Sequence, residues 1–124
     1  MLGEDIYKLN KEIVELKGFY NQIKILLGGK LNEMNTIYEE ETFDGNNWFN
    51  EDDGTFNQYL ASIHLNPRRA NPLMWNAKYL EELEMGANYY PQLDSSVIEM
   101  CKKVGKNPLE YVHLSYSDIK KEIK

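Results

Sequence analysis

The sequence has a single cysteine, Cys101, and only two arginines, Arg68 and Arg69, against twelve lysines. One thiol excludes an internal disulfide framework and points to a reducing compartment. No apolar run approaches the roughly 18 residues that a membrane-spanning helix needs. The first residues, with Glu4 and Asp5, lack the basic and apolar regions of a secretory signal. These absences predict a cytoplasmic protein. The 14 basic residues are outnumbered by 20 acidic ones, for a formal charge of −6. That balance argues against a general binder of nucleic acid or of an anionic membrane. Few arginines, many lysines and abundant asparagine form the bias that A/T-rich coding produces, as in a low-GC bacterium or its phage.

Motifs that carry chemistry are also missing. There is no Gly-x-Ser-x-Gly and no phosphate-binding glycine loop. His64, Cys101 and His113 lack the close spacing of a zinc site. A calcium loop with Gly45 at its sixth position would put Glu40 at 1, Thr42 at 3, Asp44 at 5 and Glu51 at 12. Position 3 would be a poor hydroxyl ligand, and Asp52-Asp53-Gly54 is a bad start for the exiting helix. The expectation is therefore a protein without catalytic residues, metal or cofactor.

What the chain does have is pattern. Apolar residues at Leu2, Ile6, Leu9, Ile13, Leu16, Tyr20, Ile23 and Leu27 are spaced alternately four and three apart, so one helix carries all eight on a single stripe. In heptad terms Ile6, Ile13, Tyr20 and Leu27 are at a, and Leu2, Leu9, Leu16 and Ile23 at d. Glu12 at g would face Lys17 at e of a parallel partner. Phe19 and Leu26, also at g, widen the face to that of a bundle helix. Two uses follow: a helix buried in its own domain, or a dimer seam formed by Ile6, Leu9, Ile13, Leu16, Tyr20 and Ile23. Gly28-Gly29 would end the helix.

Leu31, Met34, Ile37 and Tyr38 predict a second, shorter helix folding back as an αα-hairpin. It runs into the acidic part of the chain. Residues 31–60 hold eight carboxylates (Glu33, Glu39, Glu40, Glu41, Asp44, Glu51, Asp52 and Asp53) and no lysine or arginine. The remainder of the chain sums to a small positive charge, so the whole negative excess lives in this segment. Phe43, Trp48, Phe49 and Phe56 lie among its turn formers, which predicts an ordered acidic loop rather than a disordered tract.

Further along, Thr55 would cap a helix with Phe56, Tyr59, Leu60 and Ile63, stopping at Asn66-Pro67. Arg68 and Arg69 follow in a predicted loop. Asn71 and Pro72 predict a helix start, with Leu73, Ala77, Leu80 and Leu83 on its apolar face and Gly86 closing it. Two more helices are expected, from Ser95 or Ser96 to Val104 and from Pro108 to about Leu114, with Ser117 capping a last basic turn. At 124 residues the chain is long enough for one core. The fold class predicted is all-α, a small helical bundle with a long N-terminal heptad-patterned helix and one ordered acidic loop. It is read as a single domain, with a long helix over 1–28, an acidic hairpin or loop over 31–54 and short helices over 55–124.

Asn88-Tyr89-Tyr90-Pro91, followed by Asp94-Ser95-Ser96 and a helix, resembles the Tyr-Tyr-Pro turn of colicin DNase immunity proteins, with Glu81-Glu82-Leu83-Glu84 as the acidic stretch before it. The resemblance covers about ten residues and implies a nuclease partner bound through that turn. Val97 to Gly105 and Leu114 to Ile119 look like pieces of helix-turn-helix proteins, but the acidic balance opposes DNA reading. Two functions are expected from different classes. In the first, Glu39, Glu40, Glu41, Asp44, Glu51, Asp52 and Asp53, anchored by Trp48, Phe49, Tyr89 and Tyr90, dock on the basic surface of a nucleic-acid-processing enzyme. This would suit a phage inhibitor of bacterial defence, of the anti-CRISPR kind, or a bacteriocin immunity protein. In the second, the chain is a dimeric coiled-coil assembly protein. Neither reading contacts nucleic acid or a membrane directly.

Overall fold

The structure is a computed structural model and describes residues 2–44 and 55–123. Every regular element among them is helical: α1 (Leu2–Asp44), α2 (Phe56–Ser62), α3 (Pro67–Glu82), a 3-10 turn (Ala87–Gln92), α4 (Ser95–Val104), a second 3-10 turn (Pro108–Tyr111) and α5 (Tyr116–Ile123). The protein is all-α, as expected. No helix among the described residues is long and apolar enough to cross a membrane.

α1 does not stop at Gly28-Gly29 and no αα-hairpin forms there; the helix runs on to Asp44. Glycine has two uses in a helix, to end it and to let another backbone come close. Gly28 is buried and serves the second: a methyl group there would sit 2.7 Å from the carbonyl carbon of Leu73 and 3.1 Å from the Ala77 Cβ. Five of the carboxylates expected in a hairpin or loop (Glu33, Glu39, Glu40, Glu41 and Asp44) are therefore helical.

The chain divides into two compact units, one of residues 25–78 and the other of 1–24 with 79–124. In the first, Leu31, Leu60, Ala70 and Met74 form a buried cluster with Phe56, Tyr59 and Leu65 against it. The Tyr38 ring meets Phe56 edge-on, with centroids 6.1 Å apart, and lies 5.7 Å from Tyr59. Asn32 donates to the Met74 carbonyl at 3.0 Å, tying α1 to α3. α2 begins as expected: Thr55 Oγ1 accepts from the Gln58 amide at 3.1 Å, and Gln58 Oε1 accepts from the Thr55 amide at 3.0 Å. That reciprocal pair is a capping box.

α3 starts five residues earlier than the Asn71-Pro72 signal placed it. Asn66 Oδ1 accepts from the Arg68 amide at 2.8 Å with Pro67 as the first helical residue, so Arg68 and Arg69 lie in the helix and not in a loop. Asn66-Pro67 and Asn71-Pro72 are the same dipeptide, and the first one is used. Pro72 sits inside the helix, where its missing N–H withholds one bond from the Arg68 carbonyl. α3 also ends before Gly86. Glu84 takes a left-handed φ of 56°, its amide bonding Glu81 O at 2.9 Å and the Met85 amide bonding Leu80 O at 2.9 Å. The same paired bonds close α2 around His64 (φ 60°) and α4 around Gly105 (φ 70°), the Schellman arrangement each time.

In the second unit Cys101, Tyr111 and Ile119 are buried together with Val97, Met100 and Leu114 around them. α4 packs on α5 and on the Pro108–Tyr111 turn. Pro108 opens a 3-10 turn ending at Tyr111 and not a helix to Leu114. Ser115, not Ser117, caps α5: its hydroxyl accepts from the Asp118 amide at 3.3 Å and donates to Asp118 Oδ2 at 2.9 Å.

Candidate protein-binding surfaces

The eight-residue stripe of α1 is exposed from end to end. Exposure runs from 39 % at Leu27 to 76 % at Leu2, and the six expected seam residues, Ile6, Leu9, Ile13, Leu16, Tyr20 and Ile23, each exceed half. Burial of this stripe in the chain's own core, the first of the two uses expected for it, does not occur. The helix instead presents another face to its own chain. Gly18, Asn21, Ile25 and Gly28 occupy f and b positions, roughly 150° around the helix from the a/d stripe. Asn21, Ile25 and Gly28 are buried and Gly18 half-buried.

Within the unit of residues 1–24 and 79–124 that inner face is tied by small and polar groups. Asn21 donates to the Pro91 carbonyl at 3.0 Å. A methyl on Gly18 would lie 3.4 Å from Pro91 Cβ. Lys17 Nζ stands 3.0 Å from Asp94 Oδ2. Asp94 is also the N-cap of α4, its carboxylate accepting from the Ser96 amide at 3.0 Å and hydroxyl at 2.6 Å. Partial burial pushes the Asp94 carboxyl up, but the hydrogen bonds from Ser96 and Lys17 and the Lys17 charge outweigh it and hold it below its ordinary range. Sequence spacing missed this face because glycine and asparagine carry no hydrophobic signal.

Tyr89 and Tyr90 lie in the Ala87–Gln92 turn, in the same unit. Tyr89 is 41 % exposed, whereas Tyr90 is half-buried. Tyr89 is the more open of the two.

The acidic surface belongs to the other unit. Glu39 and Glu40 are exposed on α1, and Asn35 Nδ2 donates to Glu39 Oε1 at 3.3 Å. Glu41 and Asp44 fall in the last turn of the helix, which contains no basic residue. Acidic residues in the last turn of a helix are unfavourable to its dipole. Trp48, Phe49, Glu51, Asp52 and Asp53, the expected ordered loop, and most of the calcium register lie outside the described residues.

Among the described residues no three His, Cys, Asp or Glu side chains converge to hold a metal ion. His64 and His113 are exposed, and Cys101 is fully buried. Burial, with the Glu110 charge adding to it, pushes the Cys101 thiol up, away from a reactive thiolate. Burial also raises the Tyr79 hydroxyl, with Cys101 and Glu82 adding to it, and that hydroxyl donates to the Lys106 carbonyl at 2.8 Å. Its role is to hold the segment after α4. Compared with known proteins, the chain matches no family model, no curated protein and no solved structure.

Proposed function

We propose that this chain is a non-enzymatic binding protein that docks a carboxylate-rich surface on the basic site of a nucleic-acid-processing enzyme or complex, as a phage inhibitor of bacterial defence would. The observation that carries the reading is the placement of charge against the helix dipole. Eight carboxylates fall in residues 31–60 with no lysine or arginine among them, and the end of α1 is loaded with Glu39, Glu40, Glu41 and Asp44. A sequence selected only for stability or solubility puts lysine at that end. An external cationic surface offsets the repulsion, and attraction of this range speeds encounter.

The test replaces Glu39, Glu40, Glu41, Asp52 and Asp53 by their amides. Fold should survive by circular dichroism, and the melting temperature should rise. In a pull-down from a low-GC bacterial lysate at low and high salt, the unmodified chain should recover a nucleic-acid enzyme that salt removes, and the variant should bind it at least about tenfold more weakly. Equal recovery by both chains would overturn the reading. A bacteriocin immunity protein is the same mechanism with a nuclease as partner, and exposed Tyr89 would then supply its anchor. The alternative, a dimeric structural or assembly protein, is favoured by the exposed stripe of α1 and uses different residues.

A further inference from the structure

We propose that the a/d stripe of α1 is covered by a second copy of the chain, giving a parallel two-stranded coiled coil over residues 2–27. This goes beyond the docking reading and does not depend on it. The stripe is exposed at all eight positions, as is every other residue of 2–17, whereas from residue 18 on the f and b positions Gly18, Asn21, Ile25 and Gly28 are covered by the chain itself. A single chain therefore leaves the stripe without cover over its whole length.

Three observations select a second copy as occupant. The first is periodicity: an unbroken 3.5-residue repeat over more than three heptads matches a supercoiled helix, whereas a bilayer surface or a globular groove requires no heptad. The second is extent. Eight large side chains at these exposures offer on the order of 800 Å² of apolar surface per protomer, what a stable pairwise interface covers on each side. The third is flank chemistry. Lys17 and Lys24, at e, lie 5.0 and 4.9 Å from the centre of the Tyr20 ring at the edge of the stripe. Lys17 is already ion-paired with Asp94 of its own chain, but in a parallel pair Lys24 faces Phe19 at g of the other chain, a cation–π contact made twice by symmetry. An antiparallel pair sets g against g and leaves Glu12 against Phe19 instead. Isoleucine at a with leucine at d through the first half of the stripe favours the same two-stranded parallel form.

Sedimentation equilibrium and light scattering on the purified chain should give twice the monomer mass at micromolar concentration. Ile13→Asp and Leu16→Asp should each weaken association at least about 100-fold, because a dimer would bury two unpaired carboxylates in one layer. Since both residues are exposed in the isolated chain, these variants should keep the helical spectrum and cooperative melting of a folded monomer. Ile25→Asp, on the inner face, should unfold the chain. Leu9→Cys at d should form an inter-chain disulfide under mild oxidation, since parallel pairing places the two Cβ atoms within bridging distance; buried Cys101 should not. A native chain that stays monomeric at 100 times that concentration would overturn the proposal, as would capture of the stripe by lipid vesicles with no self-association. A dimer in which Leu9→Cys fails to cross-link would overturn the parallel arrangement. None of these readouts involves the acidic segment, so loss of docking and loss of pairing are distinguishable.

Discussion

A methyl group added at Gly28 would lie 3.1 Å from Ala77 Cβ and closer still to the Leu73 backbone, whereas one added at Gly29 would meet nothing within 4 Å. Alanine is a better helix former than glycine by about 1 kcal/mol, and at Gly29 that gain should be realised. At Gly28 the gain is overwhelmed, because the obstruction is backbone and cannot rotate away; a net loss of about 2 kcal/mol is expected. Thermal unfolding checks the pair: Gly29→Ala should melt higher and Gly28→Ala lower. If the doublet were a helix terminator, both would destabilise. The missing Cβ is the same on paper in either role. What separates them is the approach of α3, a contact 45 residues away in sequence from Gly28 to Leu73, and no local pattern encodes it. The eight stripe residues, by contrast, were legible because an amphipathic face is written locally.

Some helix ends were legible and others were not: Asn66 and not Asn71 opens α3, and Ser115 and not Ser117 opens α5. Thr55 was legible as the cap of α2 and Gly105 as the stop of α4, whereas the reciprocal bond from Gln58 emerged only in the structure. His64 and Glu84 adopt the same left-handed geometry without being glycine, so α2 and α3 end at residues that carry no stop signal. Holding a side chain in that region costs roughly 1 kcal/mol. His64→Gly should recover part of that cost and raise the melting temperature by a few degrees. Asp94 joins two elements, capping α4 and pairing with Lys17 of α1. Its carboxyl is held below the ordinary 3.8 when folded. A group depressed in this way contributes stability that is complete above its unfolded value, and that stability is lost as pH falls through the folded one. Asp94→Asn keeps a good cap but removes the ion pair. It should cost under about 1 kcal/mol at neutral pH and flatten the loss of stability below about pH 4, measured by denaturant melts across pH.

At the scale of the whole chain, the all-α class followed from helical periodicity along most of the sequence. The charge asymmetry was equally plain, since counting residues suffices. Which stretch is helix and which is loop was not plain. The aromatic residues and turn formers of residues 43–54 argued for a loop, while α1 carries the carboxylates from Glu33 to Asp44 on a helix. Leu31 and Tyr38, both buried in the unit of residues 25–78, give that helix tertiary support that spacing alone does not show. The docking reading makes its prediction at this scale: an interaction driven by net charge weakens steeply with ionic strength, and neutralising five carboxylates flattens that slope.

The two faces of α1 bear on how this protein tolerates change. Substitutions at Gly18, Asn21, Ile25 and Gly28 act on a single folded chain, whereas those at Ile6, Leu9, Ile13 and Leu16 act on whatever the helix meets outside it. A saturation scan scored for abundance and, separately, for association should therefore yield two profiles in antiphase over residues 18–28, and a periodic profile for association alone over 2–17, where every residue is exposed. Sequence drift on one side would be free of drift on the other, and the helix could exchange its external partner without disturbing its own fold.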